Sequence, residues 1–169
     1  MEKESIVSHY MQKVTERLKV EGFHIKYNIS YSNWTFKCVA IRRRFQIEHL
    51  GLAETFFIFV DFSYLDAGLF RDFSKKCLAF ARESKISPFP YTPLFDIAIC
   101  FPVGLVTSLD IKTAKEIQNS KPPWLFCDYE MAVICDIGAK RLYYPERTPN
   151  YAIMRWETWR NKIREILSP

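Results

Sequence analysis

The chain has 169 residues, of which 49% are hydrophobic, 16% are aromatic and only five are glycine. This composition is typical of a packed globular core and excludes a disordered or low-complexity chain. The length predicts a single domain over residues 1–169, and the net charge of +5 permits a nucleic-acid partner without requiring one.

The N-terminal half of the chain begins with a helix and a hairpin. Residues 3–20 place apolar side chains at helical spacing, and Gly22 is expected to stop the helix. Residues 23–31 and 34–40 alternate apolar and polar residues on either side of a turn at Ser32–Asn33. This pattern predicts two half-buried strands that pair with each other.

The apolar run 54–62 is the strongest structural signal. It has no alternation, which is typical of a strand covered on both faces in the middle of a sheet. Residues 42–53 before it are predicted to be irregular. Residues 63–83 after it predict an amphipathic helix whose start, from Ser63 to Asp66, resembles a capping box.

The C-terminal half predicts two helices and three strands. An apolar strand covers residues 94–101, and Pro102 is expected to end its pairing or place it at a sheet edge. A polar helix over 108–119, a hairpin over 131–144 and a helix over 151–167 follow. The predicted order is therefore α-β-β-β-α-β-α-β-β-α, and the fold class is α+β: one layered domain with a mixed central sheet of about six strands flanked by helices.

The first six elements, α-β-β-β-α-β, resemble in order the core of restriction-endonuclease-like nucleases. Membership of that fold would imply an Asp and an acid-x-Lys on adjacent strands, where the carboxylates hold a divalent metal. This chain departs from the pattern, because residues 31–47 contain no Asp and Asp61 is followed by no Lys at the required place. The acid-x-Lys match Asp110-Ile111-Lys112 lies at a predicted helix start, where Asp110 serves as a cap partner.

Asp61 is the one candidate catalytic residue. It ends the buried strand, a position where α/β proteins often place functional groups. The structural alternative is a carboxylate at the solvent end of the strand, bonded to the N-terminus of the next helix.

The run Arg42-Arg43-Arg44 is the candidate nucleic-acid-binding site. The three guanidinium groups would contact phosphates, with Phe45 and His49 as stacking groups. The alternative is a solvated strand end in which the alternate arginine pairs with a carboxylate such as Glu48.

Cofactor, metal and membrane sites are not predicted. The glycines are isolated, the histidines have no spacing partner, and no apolar run reaches the roughly 18 residues of a membrane span. The start of the chain does not resemble a signal peptide. The cysteines lie in or beside apolar stretches and form no C-x-x-C pair, so we expect free thiols in a reducing, cytoplasmic compartment; they are Cys38, Cys77, Cys100, Cys127 and Cys135.

Two functions remain open at this point. The first is a non-catalytic cytoplasmic domain that binds a protein partner, or itself, and is expected to need no cofactor or metal. The second is a divergent or inactive restriction-endonuclease-like protein that binds or cuts nucleic acid, with Arg42, Arg43 and Arg44 as its contacts.

Overall fold

The computed structural model describes residues 2–46, 51–86, 96–121, 128–147 and 153–169. The element order is the predicted one with a short strand added. The helices and strands are α1 Glu2–Val20, β1 His24–Tyr31, β2 Trp34–Gln46, β3 Gly51–Asp61, α2 Ala67–Glu83, β4 Asp96–Val106, α3 Ile111–Gln118, β5 Tyr129–Glu130, β6 Val133–Asp136, β7 Arg141–Tyr143 and α4 Ile153–Leu167.

The strands form one mixed sheet in the order β1-β2-β3-β4-β6-β7, with β5 paired to β4. The pairs β1–β2, β2–β3 and β6–β7 are antiparallel. β3 and β4 are parallel and are joined through the crossover helix α2, because parallel neighbours need a long connection. Among the described strands, β1 and β7 lie at the two ends of this order.

Two apolar layers cover the sheet. α1 and α4 pack on one face, and α2 and α3 pack on the other. β3 lies in the middle, and Phe56, Phe57, Ile58 and Phe59 are fully buried on alternating faces. This confirms the prediction made from the unbroken apolar run. None of the helices in the described part of the chain is long and apolar enough to cross a membrane.

The prediction that residues 42–53 are irregular was wrong for 42–46 and 51–53, and residues 47–50 lie outside the described part of the chain. β2 continues through the arginine run to Gln46, and β3 begins at Gly51, with Arg42 opposite Thr55 and Arg44 opposite Ala53. Three consecutive arginines interrupt the apolar–polar alternation by which a strand is identified in a sequence. They are tolerated because successive arginines point to opposite faces and two of them find carboxylates.

Pro102 does not end β4. It lies inside the strand, opposite Ile58 of β3. On the other side of β4, the β5 register ends at Cys100 and the β6 register begins at Val103. Proline has no N–H to donate, and it occupies the interval where one neighbouring strand has ended and the next has not begun.

Two helices begin later than their sequences indicated. α2 is capped by Asp66, whose Oδ1 accepts from the Leu69 N–H at 2.8 Å, so the helix starts at Ala67 and not near Ser63. α3 is capped by Asp110, which accepts from the Thr113 N–H at 2.9 Å. In both cases the aspartate is the N-cap itself.

Candidate functional site

The β1–β2 hairpin is the most distinctive surface of this chain. Over His24–Gln46 it contains no Asp or Glu, and it carries Lys26, Lys37 and the arginine run. A hairpin with five cations and no acid depends on other elements, or on a partner, for its counter-charges. The positions of those counter-charges decide which of the five cations are available to bind a partner.

Arg42 and Arg43 are already engaged. The Arg42 guanidinium donates to the Glu21 carboxylate at 3.2 Å and lies 4.6 Å from the centre of the Phe23 ring. Arg43 Nε donates to Glu54 Oε2 at 2.7 Å. The alternate-pairing interpretation named Glu48 as the partner, but Glu48 and His49 lie outside the described residues. Among the described residues, Glu21 and Glu54 are the carboxylates that pair with the run.

Arg44 is exposed, as Arg43 is, but it differs from Arg42 and Arg43 in its contacts. Its guanidinium has no hydrogen bond or ion pair within the described part of the chain, although its charge acts on Glu21. A hydrogen bond from Lys162 of α4, together with the charges of Lys162, Arg42 and Arg44, holds the pKa of Glu21 below its usual value. One carboxylate therefore serves several cations.

Asp61 lies where the end of β3 meets the start of β2. Its Oδ2 is 3.5 Å from Nζ of Lys37, and both side chains are about one-third exposed, at 29% and 36%. Its Oδ1 is buried and has no hydrogen-bond partner among the described residues. The bond to a helix N-terminus considered for Asp61 belongs instead to Asp66, which caps α2.

Lys37, which contacts Asp61, lies at an irregularity in the β1–β2 ladder. The β1–β2 ladder pairs Tyr27 with Cys38 and Ile29 with Phe36, but Asn28 and Lys37 between them are not paired. Asn28 has a left-handed φ of 54°, which asparagine adopts more easily than most residues. The hairpin changes face here: Cys38 packs with the α1 layer, whereas Phe36 and Ile29 pack with the α2 layer. The predicted uniform alternation of residues 23–31 is therefore interrupted at its centre.

A cavity of about 510 Å³ lies at this irregularity, between α1 and the hairpin. Its charged side chains are Lys19 and Lys37, opposed by one acid, Glu16, to which Gln12 donates at 3.4 Å. The Lys19 ammonium makes no ion pair with the described residues. The remaining residues that line the cavity are Ser8, Met11, Thr15, Tyr27, Asn28 and Cys38.

β1 beside the cavity is an edge strand with an open side. Within the described residues it pairs with β2 alone, and all of its residues are exposed except Ile25, Ile29 and Tyr31, which are half-buried. Tyr27 is 54% exposed. An edge of this kind presents N–H and C=O groups to which another chain can pair.

A second charged cluster lies between α2 and the sheet, and its role is structural. Arg82 and Lys85 each donate to Asp128 at 2.7 Å, and the Ala98 N–H donates to it at 3.0 Å. Burial opposes ionisation of Asp128, but these hydrogen bonds prevail and lower its pKa. The cluster ties the end of α2 to the start of β4.

Among the described carboxyl groups, Glu130 is the one whose pKa is raised above its usual value. Burial raises its pKa, although a hydrogen bond from Ser74 Oγ acts against this. A carboxyl with a raised pKa beside a hydroxyl is a pattern seen in active sites. Ser74 is only 4% exposed on the inner face of α2, so a substrate atom reaches its hydroxyl only if the core opens.

The thiols are equally enclosed. Cys38, Cys77, Cys100 and Cys135 are buried and unbridged, and burial raises the pKa of Cys38 and of Cys135 to about 12. Cys127 lies outside the described residues. Among the side chains that the structure describes, no group of three or more His, Cys, Asp and Glu residues is arranged to hold a metal ion.

Sequence reasoning identified Asp61 and the arginine run but missed the surface that surrounds them. Lys37 and Asn28 read as ordinary polar positions of alternating strands. The absence of acids over residues 24–46 was visible in the sequence and would have marked the hairpin. Lys19 comes from a different element, and no local pattern could have placed it there.

Neither a scan against protein-family models nor searches of curated proteins and of solved structures finds a match to this chain.

Proposed function

We propose that this protein is a non-catalytic binding domain that takes an extended segment of a partner protein along the open side of β1. The observation that carries the proposal is the edge itself: eight residues, paired on one side only within the described chain and accessible along their length. Addition of a strand to such an edge is a recurrent mode of peptide recognition, in which main-chain hydrogen bonds supply the affinity.

The partner is a different protein and not a second copy. Pairing of two β1 edges would bring two acid-free hairpins together, and like charges across such a pairing are destabilising. The left-handed Asn28 also bends the edge, a device that discourages long edge-to-edge pairing. A short segment beside His24–Tyr27 avoids both problems.

The engaged state of the neighbouring groups agrees with a binding role. Asp61 is neutralised by Lys37, and Arg42 and Arg43 are held by carboxylates of other elements. These charged groups of β2 and β3 therefore have partners within the fold. The same arrangement limits the number of arginines that are available to phosphates.

The test uses the alternation of N–H groups in β1. In an antiparallel pair, neighbouring residues alternate between donating to the partner strand and pointing outward. Of Lys26→Pro and Tyr27→Pro, one therefore removes an outward N–H and the other removes a ladder bond to β2. The first should keep a melting temperature close to that of its alanine counterpart, and the second should lose several degrees.

The ligands for this test are decapeptides selected from a random phage library on the wild-type domain. The outward proline variant should lose peptide binding in fluorescence anisotropy, whereas the alanine variant at the same position, which keeps the N–H, should weaken it far less. Bound peptide should also slow amide exchange at alternate residues of β1. Selected peptides that bind the outward proline variant as well as they bind wild type would disprove strand addition.

A second function, nucleic-acid binding by a divergent or inactive restriction-endonuclease-like protein, is favoured by a separate observation. The first six elements run as α1, three antiparallel strands, the crossover helix α2 and a strand parallel to β3, and the acid-free hairpin belongs to this core. Arg44 is exposed, and Phe45 next to it is 64% exposed.

A gel shift at several salt concentrations, with and without Mg²⁺, separates the two functions. If Arg44 alone contacts phosphate, Arg44→Ala should reduce the slope of log affinity against log salt by about 0.9. Replacing all three arginines would reduce it by up to roughly 2.7 only if Arg42 and Arg43 left their carboxylates. Tight wild-type binding at physiological salt that the triple variant loses would favour the nucleic-acid function over strand addition.

A further inference from the structure

We propose that the segment added at β1 is acidic, and that one of its carboxylates enters the cavity between Lys19 and Lys37. This inference rests on the proposed strand addition and specifies its ligand. In strand addition, pockets beside the edge receive alternate side chains of the added segment and determine specificity. The cavity is in that position, because Tyr27 and Asn28 of β1 form part of its wall.

The charges facing the cavity favour an anion. Two ammonium groups face one carboxylate, Glu16. Lys37 is held by a single 3.5 Å contact with Asp61, and the partial exposure of both side chains leaves that contact weakened by solvent. An entering carboxylate would accept from the donors that Lys37 does not use towards Asp61, since an ammonium has three.

Lys19 brings the second charge from α1. Its charge acts on the Cys38 thiol at the floor of the cavity, where it opposes the burial that raises the pKa of that thiol. Because Lys19 has no ion-pair partner in the described chain, binding an anion here breaks no existing contact. A guest ammonium would instead be repelled by both lysines.

The rest of the hairpin extends this preference along the edge. Lys26 lies within β1 itself and is exposed, and the hairpin has no acid that would repel a second carboxylate. A segment with acids at alternate positions would therefore place its charges on one face of the added strand. Nucleic acid also supplies anions, but ionised phosphate oxygens only accept hydrogen bonds, so they cannot donate to the C=O groups of β1 and form a strand ladder.

The experiment measures charge preference separately from strand addition. Decapeptides selected on wild type are resynthesised with each Glu or Asp changed to its amide, and affinities are measured by fluorescence anisotropy. The protein variants are Lys19→Gln and Lys37→Gln. The control is Lys13→Gln, which removes an exposed lysine of the same helix outside this cavity.

We expect selected peptides to be acidic and both cavity variants to bind them about fivefold more weakly or worse, whereas the control changes affinity less than about twofold. The amide peptide should bind wild type and Lys37→Gln almost equally. Lys37→Gln removes the counter-charge of Asp61 and could lower the melting temperature. In that case Lys19→Gln alone decides the question, because Lys19 has no ion-pair partner among the described residues.

Three outcomes would overturn the inference. Neutral or basic peptides that require the outward N–H of β1 would refute the acidic preference and leave strand addition standing. Peptides that ignore the proline variants would refute both. A duplex oligonucleotide that displaces the acidic peptide and responds to Lys19→Gln and Lys37→Gln would assign the cavity to nucleic acid.

Discussion

The ion pair between Arg43 and Glu54 predicts an unequal effect of removing its two members. Glu54 is enclosed, with its side chain 3% exposed, and its second oxygen accepts from the Ile86 N–H at 2.8 Å. Arg43 is 35% exposed. When Arg43→Ala removes the cation, a buried carboxylate loses its counter-charge. When Glu54→Gln removes the anion, the arginine can turn to water and the bond to Ile86 is kept.

The expected magnitudes follow from that difference in burial. Removing one partner of a buried pair costs about 3–5 kcal/mol, because the other charge is left uncompensated. Arg43→Ala should approach this range. Glu54→Gln should cost about 1–2 kcal/mol, roughly the loss of one charge-assisted hydrogen bond. The double variant should be more stable than Arg43→Ala alone, because it contains no unpaired buried charge.

Urea unfolding followed by tryptophan fluorescence gives the free energies of unfolding needed for this cycle. The control pair is Arg71 and Glu116, which are 3.9 Å apart and are 64% and 40% exposed. Arg71→Ala should cost less than about 1 kcal/mol. A loss for Glu54→Gln equal to or larger than that for Arg43→Ala would refute the reasoning from burial.

Three further predictions concern the core, the thiols and the response to acid. Ile58→Asp should prevent folding, because an unpaired carboxylate at this fully buried position of β3 costs several kcal/mol. The control Ile111→Asp, at the exposed start of α3, should fold normally. Equal thermal melting curves for the two variants would contradict the prediction. Cys38 and Cys135 should resist Ellman's reagent at pH 8 until urea unfolds the chain, since burial raises the pKa of each to about 12. The pKa of Asp128 is lower in the folded state than in the unfolded state. Ionised Asp128 therefore stabilises the folded protein at pH values above its unfolded-state pKa, and this contribution is lost as the pH falls through its folded-state pKa. Asp128→Asn should therefore make stability less dependent on pH below about 4, and an unchanged pH profile would argue against this assignment.

Local patterns were sufficient for most of the helices and strands. The stripe of α1 and the unbroken apolar run of β3 each reflect one dominant effect, the burial of apolar surface at a fixed period. The prediction failed where charge or proline competed with that effect. β2 continues through Arg42–Arg44 because Arg42 and Arg43 find carboxylates on other elements and Arg44 is exposed to solvent. β4 continues through Pro102 because its neighbouring strand changes there.

The candidate site was only partly predictable for the same reason. Asp61 was identified by its place at the end of a strand, but its contact with Lys37 depends on how β2 and β3 align. The left-handed Asn28 could not be identified from residue type alone. It becomes significant because it lies opposite Lys37 at a break in the ladder.

The sequence by itself determined the α+β class, the order of the elements, the central position of β3 and the acid-free character of the first hairpin. These properties follow from which residues are neighbours along the chain. The tertiary structure alone decided that Arg42 and Arg43 are neutralised, that Arg44 is exposed, and that Lys19 and Lys37 face one cavity. Those outcomes depend on charges from separate elements meeting at short range, where Coulomb energy and solvent exposure determine whether a side chain is held or available.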